Sequence, residues 1–134
     1  HETALADDLA ETVRRAQALD LLVLSNILDR RTGQPYASRA ADLPLPGSRT
    51  LRLVGIGTDM LQTYRQVVRP TLDIPAPAAW ARENLPTLLP GADIAVVLNH
   101  GGVVADQGVM PLLPDGTLVL GGPDHLRFTA SAGA

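Results

Sequence analysis

Short apolar runs alternate along this chain with stretches of helical periodicity, and that alternation predicts its elements. Over residues 4–18, Leu5, Leu9, Val13 and Ala16 recur on one face at helical spacing. Thr3 is the expected N-cap. Asp7 and Asp8 suit the positive end of such a helix, and Arg14 and Arg15 suit its negative end. The apolar stretch from Leu19 to Leu24, closed by Ser25-Asn26, predicts a central strand over 21–25. Asp29 to Ser48 is rich in Arg, Gly, Pro and Ser and reads as a loop or hairpin. Arg49 to Ile56 is the next strand, with 51–56 in the sheet, and Gly57-Thr58-Asp59 closes it. Met60 to Val68 reads as a short helix or as irregular, and Pro70 to Pro77 as a connector. Ala78 to Leu89 predicts a helix disturbed at Pro86, because proline cannot donate to the ladder. Asp93 to Leu98 is the clearest strand, over 94–98, and Val103 to Leu113 a helix stopped near Pro114. After the Asp115-Gly116 turn, Thr117 to Leu120 is the last strand. Strands separated by helices predict an α/β sheet with right-handed crossovers.

Composition narrows the class. At 134 residues and 46% hydrophobic, the chain has the makings of one domain around a single core. No apolar run reaches the ~18 residues of a membrane span. A net charge of −3 gives no electrostatic case for nucleic acid. The absence of cysteine removes disulfides, thiolate metal sites and cysteine nucleophiles, and suits an exported chain as well as a cytoplasmic one. The chain opens on His1 without a methionine and closes on a patternless Ser-Ala-Gly-Ala, so a piece of a longer protein is expected.

Two of the three histidines follow apolar runs. Ile94 to Asn99 delivers His100-Gly101-Gly102, and Thr117 to Leu120 leads through Gly121-Gly122-Pro123-Asp124 to His125. Ligands bind at the carboxyl edge of α/β sheets, and neutral imidazole is a common ligand of zinc, iron and manganese. Taken singly, each histidine reads as a hydrogen-bonded structural residue. Their shared placement makes both candidates for a metal centre. Such a centre needs three or four protein ligands, and the nearby carboxylates are Asp106, Asp115, Asp124 and Asp59. Asp124 either orients an imidazole or caps a turn. Gly55-Ile56-Gly57 lacks the third glycine of a dinucleotide fingerprint, since Met60 stands there, and the chain has no lysine for a P-loop. Ser25 lacks the flanking glycines of a nucleophile elbow. Trp80, Tyr36, Tyr64 and Phe128 are scattered and read as core or cover.

Taken in order, these segments resemble part of the catalytic domain of calcineurin-like metallophosphoesterases, on the bacterial 5′-nucleotidase branch. His1-Glu2 is similar to the end of that family's Gly-Asn-His-Glu/Asp block. Leu21 to Ile27 resembles its strand ending in Ser-Ala-Asn-Ile. Asp93 to Gly102 resembles its stretch with a lone histidine after a strand, and Gly121 to His125 resembles Gly-Gly-His-Asp-His. The resemblance implies a partial α/β/β/α sandwich, the second half of the domain, over residues 1–134. It implies metal-dependent hydrolysis of a small phosphate ester, nucleotides included. His1 would hydrogen-bond the phosphate and help protonate the leaving group, His100 would bind one metal ion, and His125 the other. The intact family site holds two divalent ions (Mn, Zn, Fe or Mg) that clamp phosphoryl oxygens and activate a water.

The departures are specific. No Asp-x-His and no Gly-Asp occur in the chain, and Pro123, which cannot coordinate, stands where a ligand histidine is expected. The expectation is therefore an incomplete catalytic domain without turnover of its own. Its missing half would be a partner supplying strands and a helix layer, so one sheet face and an edge strand should lie bare. The alternative expectation is a non-catalytic α/β binding or scaffolding domain with a decayed metal site.

Overall fold

In a computed structural model, residues 8–18 and 24–122 are described. The fold is α/β. Its centre is a four-stranded mixed sheet in the order β2 (Ala41–Leu45), β3 (Arg49–Ile56), β5 (Ile94–Asn99), β6 (Leu118–Gly121). β2 and β3 form an antiparallel hairpin through Pro46-Gly47-Ser48, where Gly47 (φ 77°) and Ser48 (φ 57°) adopt the left-handed backbone that reverses the chain. β3, β5 and β6 run parallel, linked by helix α2 (Pro77–Leu88) and helix α3 (Val103–Val109). A second, two-stranded sheet pairs β1 (Leu28–Asp29) with β4 (Leu72–Asp73).

Alternation along the strands gives the main sheet two unlike faces. Val54, Ile56 and Val97 point to one side, where Trp80, Ala81, Leu85 and Leu89 of the α2 region and Val109 of α3 close a buried core over them. Arg52 ties the rim of this layer, donating to both carboxylate oxygens of Asp42 and to the carbonyls of Leu88, the last residue of α2, and Pro90 just beyond it. Register places Leu43, Leu98, Leu118 and Leu120 on the other side, exposed by 46%, 39%, 54% and 58%. A sheet with parallel strands ordinarily covers both faces; here these four leucines are exposed while Val96 on the same side is buried.

A second core gathers Leu9 and Val13 of helix α1 (Leu9–Gln17) with Ile27, Ala37, Tyr64, Val68 and Leu72. It is fastened to the end of β3 by Asn26. That side chain accepts the Gly57 N–H at 2.7 Å and donates to the Gly57 carbonyl at 3.0 Å. Ser25 makes a similar tie, its N–H donating to Gly55 O at 2.7 Å.

Several boundaries differ from the sequence expectation. The first helix starts at Leu9 rather than residue 4. Asp8 is extended (φ −126°, ψ 98°) and its carboxylate accepts the Glu11 N–H at 3.0 Å, so Asp8, not Thr3, is the N-cap. The strand expected over 21–25 lies outside the described residues except at Leu24 and Ser25. The 29–48 region supplies β2, the hairpin strand, and Leu28–Asp29 pairs with Leu72–Asp73 inside what reads as a connector. Met60 to Val68 contains one 3₁₀ turn, Leu61–Thr63. Helix α2 runs through Pro86 for two further residues, since a proline in the last turn forfeits only the bond to the Arg82 carbonyl. Helix α3 is shorter than expected. Pro111 cannot donate to Gln107, and the coil tightens to a 3₁₀ turn at Met110–Leu112.

Candidate functional site

The carboxyl edge of the three parallel strands ends on a row in register: Ile56, Asn99, Gly121. On the helix-facing side Ile56 is buried apolar core, whereas Asn99 puts a carboxamide there at 2% exposure. A buried amide needs partners, and Asn99 has two. Its Nδ2 donates to Asp106 Oδ1 at 2.7 Å, and its Oδ1 accepts the Gly101 N–H at 3.2 Å. One side chain thus joins the end of β5, the following turn and helix α3.

Asp106 stands in the first turn of α3, only 4% exposed. Its carboxylate occupies the space a side chain at residue 121 would need, since a Cβ on Gly121 would lie 2.3 Å from Asp106 Oδ2. The glycine at the end of β6 is therefore demanded by the carboxylate beside it. The β5–α3 turn has its own glycine requirements. A Cβ on Gly101 would fall 2.5 Å from Ala105 Cβ, and Gly102 sits at φ +87° as the N-cap of α3.

His100 is carried on this turn. It is half-buried, and its N–H donates to Ile56 O at 2.8 Å, continuing the β3–β5 ladder past the last strand residue. The neighbouring end of β3 supplies Gly57, buried Thr58 and exposed Asp59. Tyr64 closes this corner from below, its hydroxyl donating to Thr58 O at 3.2 Å. Burial, aided by the Asp59 charge, pushes the Tyr64 phenol up to about 12.

Of the sequence-predicted site residues, the structure places His100 at the expected edge. His1 and His125, with Asp124 and Phe128, lie outside the described residues, and so does the expected convergence of the three histidines. Asp59 follows β3 at the same edge as His100. Asp115 does not share that edge: it precedes the parallel strand β6 and so stands at the opposite end of the sheet. Asp106 is spoken for by Asn99. Among the described residues no three His, Cys, Asp or Glu side chains are grouped to hold a metal ion. Ser25 is a structural residue, fully buried, its Oγ donating to Arg39 O and accepting the Gly55 N–H. Gly57 serves packing, since a Cβ there would meet Ile27 Cδ1 at 2.9 Å. Trp80 and Tyr64 are core, as expected.

Asn99 and Asn26 were not singled out by the sequence pattern. The available signal was the same at both: an amide standing where an apolar run ends, at a position buried by its neighbours. Comparison with known proteins adds no family to this geometry: no family model matches the sequence, and no curated protein matches it.

Proposed function

We propose that this chain serves a metal-dependent phosphoester hydrolase of the 5′-nucleotidase kind, with His100 as one of its metal-binding imidazoles. The observation that supports this reading is the placement of His100 at the carboxyl edge of three parallel strands, where α/β proteins bind ligands. It stands there on a turn built from glycines and anchored from beneath by Asn99 and Asp106. Glycines let a ligand approach the backbone, and a fixed turn keeps the imidazole where it is needed.

A single imidazole suits a divalent ion but does not make a centre. Among the described residues His100 belongs to no group of three His, Cys, Asp or Glu side chains that could hold an ion. The further imidazoles named by the resemblance, His1 and His125, belong to the chain but not to the described residues. When bound, a pair of ions would activate water and neutralise the phosphate. What the chain's own residues do is narrower: Asn99 and Asp106 set the turn, and the turn presents His100. The second reading, a non-catalytic binding domain, is favoured by Pro123 at a position where coordination calls for a side-chain donor.

Two measurements on the purified chain test the proposal: calorimetric titration with Ni²⁺, and turnover of an aryl phosphate and of AMP with added Mn²⁺ or Zn²⁺. We expect weak ion binding that His100→Ala or His125→Ala abolishes, and no turnover by the chain alone. Ni²⁺ binding untouched by both substitutions would overturn the metal reading. Metal-dependent turnover lost in His125→Ala would show that carboxylates complete the ligand set after all.

A further inference from the structure

We infer that Asp106 is a positioning residue for His100, acting through Asn99; this rests on the reading of His100 given above. A carboxylate at 4% exposure is costly to bury, and a Leu or Val in the same space would fill it with less desolvation. Packing alone therefore does not account for an aspartate here. Its neighbours do. Asp106 Oδ1 receives the Asn99 Nδ2–H at 2.7 Å, which fixes the rotamer of that amide and aims Asn99 Oδ1 at the Gly101 N–H. His100 lies between these two residues: the peptide unit that follows it is referenced to the carboxylate through Asn99, while the N–H of the unit before it is held by Ile56 O. The other carboxylate oxygen lies against the end of β6 at Gly121, close enough that any Cβ there would collide with it. Asp106 thus holds the β5–α3 turn in register with the end of β6, the two segments that carry His100 and lead toward His125 in sequence. A fixed backbone on both sides of an imidazole narrows the directions in which the ring can be presented.

The test uses the full chain, two readouts and one exchange of side chains. The readouts are the His100 ring signals by nuclear magnetic resonance and the Ni²⁺ affinity, with Val54 and Val97 methyl signals reporting the core. In Asp106→Ala we expect unchanged core methyls, displaced or broadened His100 ring signals, and an Ni²⁺ affinity several-fold lower. The exchange Asn99→Asp with Asp106→Asn keeps every hydrogen bond, because a carboxylate at 99 still accepts from Gly101 and an amide at 106 donates back to it. It should restore both readouts. Asp106→Ala with wild-type ring signals and affinity would overturn the inference. If Asp106→Ala does not fold, the exchange decides: a folded protein with wild-type His100 signals and affinity supports the positioning role. An unfolded one, or a folded one with displaced signals, refutes it. His100→Ala separates the two levels, since unchanged Ni²⁺ affinity there defeats the metal reading itself, whatever Asp106 does to the ring.

Discussion

Replacing Gly121 by alanine adds one methyl group to an edge strand, a change that elsewhere stabilises a chain by about 0.4–1 kcal/mol through the unfolded state. Here the sign should reverse. The new Cβ would stand 2.3 Å from Asp106 Oδ2, 3.0 Å from Cγ and 3.2 Å from Oδ1. The obstacle is not the loose end of a flexible side chain, because Asp106 is buried and bonded to Asn99. Two ways of relieving the clash remain. Asp106 can swing away, at the loss of a charged hydrogen bond worth about 1.5–3 kcal/mol. Or β6 can move outward, loosening its ladder to β5 at the roughly 1–3 kcal/mol of an overpacked site. Either route predicts that Gly121→Ala loses about 2 kcal/mol in urea unfolding at neutral pH. Gly122→Ala is the matched control, since a Cβ at that position meets nothing within 4 Å. A double-mutant cycle with Asp106→Ala should then show coupling, because removing the carboxylate removes the collision. Equal stability of the Gly121 and Gly122 variants, or strictly additive losses in the cycle, would refute the account of Asp106 as the group that fills this space.

Two further outcomes follow from buried polar groups. Asn26→Asp should lose about 2–4 kcal/mol at neutral pH, since a carboxylate cannot donate to the Gly57 carbonyl that Asn26 Nδ2 reaches at 3.0 Å. The loss should shrink as pH falls, because the protonated acid regains a donor; urea midpoints across the acid range check both sign and trend. Tyr64, neutral in its buried corner and raised from 10.0 to about 12, binds a proton in the folded chain that the unfolded chain has released. Its contribution to stability is complete below pH 10 and is lost as pH rises toward 12. Phenolate absorbance of the wild type against Tyr64→Phe should therefore show one tyrosine ionising late, and a midpoint near 10.0 for that residue would contradict its burial.

The strands from Arg49 and Ile94 and the helices from Pro77 and Val103 were legible because each is a local pattern: an apolar run of strand length, or apolar residues returning with helical period. The short strands Leu28–Asp29 and Leu72–Asp73 were not. Two residues carry no period, and what makes them a sheet is a pairing between segments far apart in sequence. The start of α1 was misplaced because Thr3, Asp7 and Asp8 are all acceptable caps by composition; only the extended backbone of Asp8 selects one. At the site, His100 could be placed from sequence since the strand before it is unambiguous. The roles of Asn99 and Asp106 could not, because they depend on register: Gly121 faces Asn99, and only then is there room for a carboxylate. The uncovered leucines of β5 and β6 show the same limit, since an apolar run does not reveal which of its faces will be packed.

The division of the interior into two cores bears on how this molecule opens. One core is sandwiched between the sheet and helices α2 and α3; the other gathers α1 with Tyr64, Val68 and Leu72. Directional polar ties cross their joint, Asn26 to Gly57 and Ser25 to Gly55, beside the close packing of Ile27 on Gly57. Directional ties fail together once a small displacement spoils their angles, whereas apolar packing loosens by degrees. Amide hydrogen exchange should accordingly sort the backbone into two populations, with β3 and β5 slow and α1 with the β1–β4 pair fast, each exchanging as a unit. The hinge of that partial opening passes directly beside the end of β3. Breathing of the smaller core would therefore alter solvent access to the sheet edge on which His100 stands while leaving the sheet itself intact.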